Sequence, residues 1–308
     1  MHKTVKDLNS TDLNRALKRG SFTLRLGPFS HLIKGPARHL LPHLIGMYPE
    51  CQASLDPDDV TEIMLRLKAP NVFRRFIRPQ ISPDPGFHVP AVPLPESMAP
   101  LGFEMGLNLS VALKTCRFVT IHAGVVAKNG SAIMMSAASG GGKSTLAAAL
   151  HSEGYSLFSD EFALLDLDSA DVRAYPRPIS LKQQSIPIVR ELLGADRVSD
   201  VISDTPKGDI AYARVAAESL AENNASAPVK LILFPNFQAG AQPLARRLNP
   251  AEAIMRLVAA STNYSLLGEP AYKAIVSMVK AAQTFEITYG TTEQSVQLVE
   301  QLAGEGPS

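Results

Sequence analysis

Ser139, Gly140, Gly141, Gly142, Lys143, Ser144 and Thr145 follow the apolar run Ser131-Ala-Ile-Met-Met-Ser136, and Leu146-Ala-Ala-Ala-Leu150 comes after them. An apolar strand, a glycine-rich turn ending in Lys-Ser and a strong helix former are the parts of a phosphate-binding loop. The glycines leave room for backbone N–H groups to wrap a polyphosphate, and the new helix turns its positive end to the same anion. Lys143 is placed to reach β/γ-phosphate oxygens and Ser144 to hold Mg²⁺ through its hydroxyl. Ala137 stands where the loop pattern starts with glycine, so the chain must enter without glycine's φ freedom. Asp160 and Glu161 close the next apolar segment, Tyr155 to Ser159, where a carboxylate binds Mg²⁺ or activates a nucleophile. Neighbouring strand residues point to opposite faces, so one of the pair is the working group, and Asp160, shorter and first past the strand, is the choice. Arg177 and Lys182, in the proline-stiffened Pro176-Arg-Pro-Ile-Ser-Leu-Lys182, are cations that could neutralise charge on a transferred phosphoryl group, or ordinary surface residues.

The elements that position these groups follow from the pattern around them. Asn129-Gly130 between apolar runs predicts a hairpin, so the strand entering the loop gains an antiparallel neighbour at Gly124 to Lys128 and the core sheet is mixed. Val229 to Phe234 is almost continuously apolar, which predicts a central strand. Helices are expected from Pro250 to Ala260 and from Ala271 to Ala282, with a late strand at Phe285 to Tyr289 between the second of these and a final helix. Asn263 to Gly268 reads as a turn, and Asp204-Thr-Pro-Lys-Gly208 as a polar loop suited to a substrate flap.

The N-terminal third reads as a small α+β region: a capped helix after Asn9 stopped by Gly20, and alternating strands at Phe22 to Leu26 and Glu62 to Lys68. His39 and His43 have the spacing of metal ligands on a helix, but Pro42 is expected to interrupt that helix, which favours packing. Arg66, Lys68, Arg74, Arg75 and Arg78, with Phe73 and Phe76 between them, suit either an acidic partner or a solvated edge, and the balanced charge favours the edge. Prolines recur from Pro79 to Pro100, which predicts an extended connector, with Phe87, Val89 and Val92 to bury against the fold. The domains expected are therefore 1–100, an α+β region with a proline-rich connector, and 101–308, a domain built around the phosphate-binding loop.

With 308 residues, 45% hydrophobic and 19% charged, the chain is long enough and apolar enough to bury a core. A net charge of +1 argues against wholesale nucleic-acid binding, and no window approaches a membrane span. Two cysteines, Cys51 and Cys116, are too few for a disulfide scaffold, and with an N-terminus lacking a signal peptide's apolar core they point to the cytoplasm.

Together, His122-Ala-Gly-Val-Val, the hairpin, Ala137-Ala-Ser-Gly-Gly-Gly-Lys-Ser and Ser159-Asp-Glu resemble HPr kinase/phosphorylase. The likeness to the HPr-kinase-related kinase A branch is closer, running from Leu-Arg-Leu-Gly-Pro-Phe at Leu24 through Asp-Thr-Pro-Lys-Gly to Asn-Tyr-Ser-Leu-Leu-Gly. The resemblance implies an α/β fold with a P-loop kinase core on a mixed β-sheet, of the kind shared with phosphoenolpyruvate carboxykinase. It implies an ATP- and Mg²⁺-dependent kinase of a serine in a small protein or peptide, with Asp160 as proton acceptor and His122 as an active-site histidine able to orient it. Lys143 and Ser144 fall on the phosphates and Mg²⁺, Glu161 on the family's second aspartate, and a homo-oligomer is an assembly the resemblance allows. The chain departs from the family at Glu161, and it lacks the family's Glu-x-Arg-Gly-Leu-Gly and Pro-Gly-Arg-Asn segments; Arg246-Arg247 lies in a region comparable to the latter.

Overall fold

The computed structural model describes residues 3–87, 92–138, 140–221 and 225–304. The chain divides into two compact units, Met1–Lys114 with Ser199–Asp209, and Thr115–Val198 with Ile210–Ser308. Helix Ala99–Lys114, expected at the head of the second domain, therefore belongs to the first unit. Among the described residues no helix is long and apolar enough to cross a membrane.

In the first unit a seven-stranded sheet runs in the order Lys3–Thr4, Gln52–Ser54, Phe22–Leu26, Phe29–Lys34, Ile63–Lys68, Gln80–Asp84, Leu94–Pro95. Helix Ser10–Arg19 starts where the Asn9 side chain accepts from the Thr11 amide and stops at Gly20, which takes the left-handed φ of 81° that glycine tolerates. Helix Ala99–Lys114 lies so close to the sheet that a Cβ on Gly102 or Gly106 would come within 2.5 Å of Ile81 or Leu65.

Two proline-based expectations fail here. Helix Ala37–Met47 runs straight through Pro42, because burying Leu40, His43, Leu44 and Met47 on one side outweighs one lost backbone bond. Pro83 sits within strand Gln80–Asp84, opposite Leu67. The strand's second neighbour pairs only at Gln80 and Ile81, so Pro83 lies beyond the end of that ladder, where its missing N–H costs little. Of the connector's apolar residues, Phe87 lies under Lys114, whose Nζ is 5.4 Å from the ring centroid, Val92 is exposed, and Val89 lies outside the described residues. The basic stretch is solvated, with Phe73 and Phe76 both exposed.

The second unit is built on a six-stranded mixed sheet in the order Ser156–Ser159, Gly124–Lys128, Ser131–Met135, Val229–Phe237, Gln283–Tyr289, Leu244–Arg247. Asn129 and Gly130, with φ of 53° and 72°, form the predicted hairpin, and Ser131–Met135 pairs antiparallel with Gly124–Lys128 on one side and parallel with Val229–Phe237 on the other. Successive side chains leave on opposite faces. Ala132 and Met134 join a core with Leu257, Ala274 and Ile275, from helices Pro250–Ala260 and Glu269–Ala281, and with Val119 and Leu165 of a four-stranded sheet. Ile133 and Met135 join Leu146, Leu150, Val189 and Val299 on the other face. Covered on both sides, the sheet leaves its strand ends as the places where chemistry can be exposed. The Asn263 segment is a short helix, Tyr264–Leu267, instead of a turn. Its Asn263 carboxamide is buried, accepting from the Thr120 amide at 2.9 Å and donating to the Thr115 and Phe118 carbonyls.

Candidate active site

Strand Ser131–Met135 ends at a loop that turns into helix Lys143–Ser152. Gly140 and Gly142 take φ of 87° and 88°, and a Cβ on Gly141 would press on Ala137, the Pro235 carbonyl and the Ala138 carbonyl at 2.9, 3.1 and 3.2 Å. Each of these three glycines answers a steric demand of the turn. Ala137 does not take a positive φ, so entry into the loop does not require a glycine there. Ser139 lies outside the described residues. Thr145, in the first turn of the helix, is half-buried.

Strand Ser156–Ser159 delivers Asp160, 2% exposed, to the base of this loop. Its Oδ2 accepts from Ser144 Oγ at 3.0 Å and from the Ser180 amide at 3.2 Å. Lys143, itself buried, donates from Nζ to the Asp160 carbonyl and stands 3.9 Å from Oδ1. Oδ1 has no hydrogen-bond partner among the described residues. Burial pushes the Asp160 carboxyl pKa up; Lys143 pulls against that shift, Glu161 adds to it, and the bonds from Ser144 and Ser180 pull against it. Gly124, at the start of the neighbouring strand, borders Lys143: a Cβ there would sit in ordinary contact, 3.5 Å from Lys143 Cγ.

Among the described residues, His122 has Glu161 as its ion-pair partner. Its Nδ1 lies 3.6 Å from Glu161 Oε2, and its ring meets Phe162 edge-on at 6.2 Å. Burial, then the charge of Lys143, lowers its pKa against the opposing pull of Glu161 and Asp160, so the ring is neutral at ordinary pH. Adjacent carboxylates pointing to different faces thus take different partners, Asp160 the loop and Glu161 the histidine.

Of the two cations in the proline-stiffened segment, Arg177 is buried with its guanidinium 5.5 Å from the centre of the Tyr175 ring, and Lys182 is exposed at the end of strand Ile179–Lys182. No hydrogen bond or ion pair joins Lys182 to Lys143, Ser144 or Asp160 among the described residues. What this segment brings to the site is the Ser180 backbone amide, a contribution no side-chain pattern signals. Pairing of Ser180 with Tyr212 in an antiparallel ladder holds that amide in place. Tyr289 also escapes the motif: a Cβ on Gly142 would come 2.6 Å from its hydroxyl. Its only sequence signal is its place at the end of an apolar strand.

No group of three or more His, Cys, Asp and Glu residues is gathered for a metal among the described residues. Mg²⁺ does not need one, since it is held by one or two carboxylate or hydroxyl oxygens together with substrate phosphates and water. The Ser144 hydroxyl beside a buried carboxylate with one uncommitted oxygen is a hard-oxygen set that fits that ion.

No protein-family model matches the chain, and no curated protein matches it. The solved structure of the Hpr(Ser) kinase/phosphatase from Coxiella burnetii is similar to 60% of this chain and 93% of that one, at 16% identity and a TM-score of 0.29. A superposition that loose carries no functional weight.

Proposed function

We propose that the chain is an ATP-dependent kinase that transfers the γ-phosphoryl group to a serine hydroxyl of a small protein or peptide. One observation carries this: a buried carboxylate, Asp160, is hydrogen-bonded to the hydroxyl of Ser144 and ion-paired with Lys143 at the N-terminus of the loop helix. Asp160 Oδ1 faces Lys143 Nζ at 3.9 Å yet accepts no hydrogen bond among the described residues, which leaves that oxygen able to take a proton.

Asp160 accepts the proton of the serine hydroxyl as its oxygen forms a bond to the γ-phosphorus, and the bond from that phosphorus to the β-bridging oxygen breaks to release ADP. A raised pKa makes the carboxylate a stronger base than an ordinary aspartate. Lys143 Nζ, which rests on the Asp160 carbonyl, supplies positive charge to the β/γ oxygens, and the loop amides and helix end supply the remainder. Ser144 with Asp160 would hold Mg²⁺, which when bound would further neutralise the phosphate charge; Glu161, turned to His122, is not placed beside Ser144 for that task. Neutral His122 fixes Glu161 beside the site without adding charge to it.

The test is incubation of the purified chain with γ-labelled ATP, Mg²⁺ and serine-containing peptides, with label followed on peptide, small molecule and free phosphate. Label on a serine, lost in Asp160→Asn while ATP still binds, is the expected result. Label only in free phosphate would replace this reading with an ATPase or nucleotide-dependent switch, and label on a metabolite with a small-molecule kinase.

A further inference from the structure

Tyr289 closes strand Gln283–Tyr289 and is 3% exposed, yet its hydroxyl has no hydrogen-bond partner among the described residues. Phenylalanine would fill the same space without the cost of burying an unpaired hydroxyl. The ring itself is well held. It packs against Phe237 at 6.0 Å with a tilt of 56°, and the Tyr289 carbonyl accepts from the Gln238 amide at 3.0 Å. The next residue, Gly290, is wedged so tightly against Gly240 and Ala241 that a Cβ would come 2.6 Å from the Ala241 carbonyl. A side chain pinned from two directions with one uncommitted polar atom is aimed, and its target is the phosphate loop.

The target is Gly142, the residue that caps helix Lys143–Ser152. A Cβ there would come 2.6 Å from Tyr289 Oη and 3.2 Å from Phe237 Cβ, so only glycine lets the loop lie on the phenol. The same loop is tied to the ring's neighbour, where the Phe237 amide donates to the Gly141 carbonyl at 3.4 Å. Burial also pushes the phenol's pKa up, so the hydroxyl keeps its proton and stays a donor.

We propose that the Tyr289 hydroxyl is a reserved donor to a phosphate oxygen of the ligand seated on the loop, engaged when that ligand shifts Gly142 off the ring. The assignment rests on the proposed reading of the loop as a nucleotide cradle. It adds to Lys143 a neutral donor beside Gly142, fixed by a strand instead of by the helix. A tyrosine hydroxyl donating to an anion belongs to the stronger, charge-assisted class of hydrogen bond, which places its loss at about tenfold or more in affinity.

The experiment compares the full chain with Tyr289→Phe in two measurements: thermal unfolding without ligand, and calorimetric binding of ATP and of inorganic pyrophosphate with Mg²⁺. The variant should unfold at the same temperature as the parent or slightly above it, and should bind both ligands about tenfold more weakly. These opposite signs are what a reserved donor produces; a purely structural hydroxyl lowers the unfolding temperature instead. Unchanged binding in the variant, or a lower unfolding temperature without ligand, overturns the assignment while leaving the kinase reading intact. If the parent chain binds neither ligand, the cradle reading falls and this assignment with it.

Discussion

Glu104 in the first unit and Asp160 in the second are buried equally, 3% and 2% exposed, and they are equipped for opposite purposes. Glu104 lies on helix Ala99–Lys114, where Oε1 accepts from Tyr48 Oη at 2.6 Å and meets His43 Nε2 at 2.8 Å. The rings of His43, Tyr48 and Phe103 close around it edge to face at 5.8 to 6.1 Å. This arrangement ties helix Ala37–Met47 to helix Ala99–Lys114, and offers an incoming molecule nothing. Asp160 commits Oδ2 to Ser144 and Ser180 and leaves Oδ1 without a hydrogen bond. Burial alone therefore separates neither role. What separates them is whether the chain's own groups fill the carboxylate's hydrogen-bonding capacity or leave one oxygen of it open.

The largest effects should come from removing the two carboxylates. Asp160→Asn should lower transfer by about a hundredfold or more, the range for losing a general base, with stability in urea unchanged or improved. Glu104→Ala should cost about 3 kcal/mol in the same titration, since it takes the shared acceptor from His43 and Tyr48 in an apolar setting, while transfer by the folded fraction is retained. A drop in transfer for Glu104→Ala equal to that of Asp160→Asn would erase the distinction between the two.

pH sharpens the contrast next. Because the folded pKa of Asp160 is raised, the folded chain holds this proton more tightly than the unfolded chain does. Its contribution to stability is fully present at low pH, below the unfolded carboxylate's pKa. That contribution is lost as pH rises from the unfolded pKa to the raised folded one, and the loss is complete above it. The difference in unfolding free energy between Asp160→Asn and the parent should grow across that window and then level off. The rate of transfer should fall about tenfold per pH unit on the acid side, with a midpoint above the ordinary aspartate range.

Glycines extend the comparison from side chains to backbone. Gly142→Ala forces a left-handed φ of 88° on a residue whose Cβ meets Tyr289, and should weaken ATP binding about tenfold or more. Gly130→Ala has an equally left-handed φ of 72° but open space around it, so it should cost about 1 kcal/mol of stability with ATP binding unchanged. The smallest change is expected from Lys182→Ala, on an exposed strand end, at no more than about 0.5 kcal/mol in stability.

Local chemistry was legible wherever a few consecutive residues decide the geometry. Asn129-Gly130 announces its hairpin, the glycines before Lys143 their turn, and Val229 to Phe234 a strand apolar on both faces. The same reasoning erred at Pro42 and Pro83, where a local penalty was outweighed or avoided through partners far along the chain. His122 was legible as a residue near the carboxylate pair, but its partner was not, because that depends on which face each of two neighbouring side chains takes at a strand's end.

By itself, the order of residues determined the glycine-rich loop, the acidic pair after it and the mixed pairing of the sheet that carries them, since each follows from backbone sterics and two-residue periodicity within short windows. Only the tertiary structure decided which carboxylate oxygen stays uncommitted, that Ser180 serves through its amide, and that a tyrosine far along the chain from Gly142 lies against it. Those outcomes depend on long-range packing of strands whose partners no local pattern encodes, and on burial, which sets the electrostatic cost of each charge only after the core has closed.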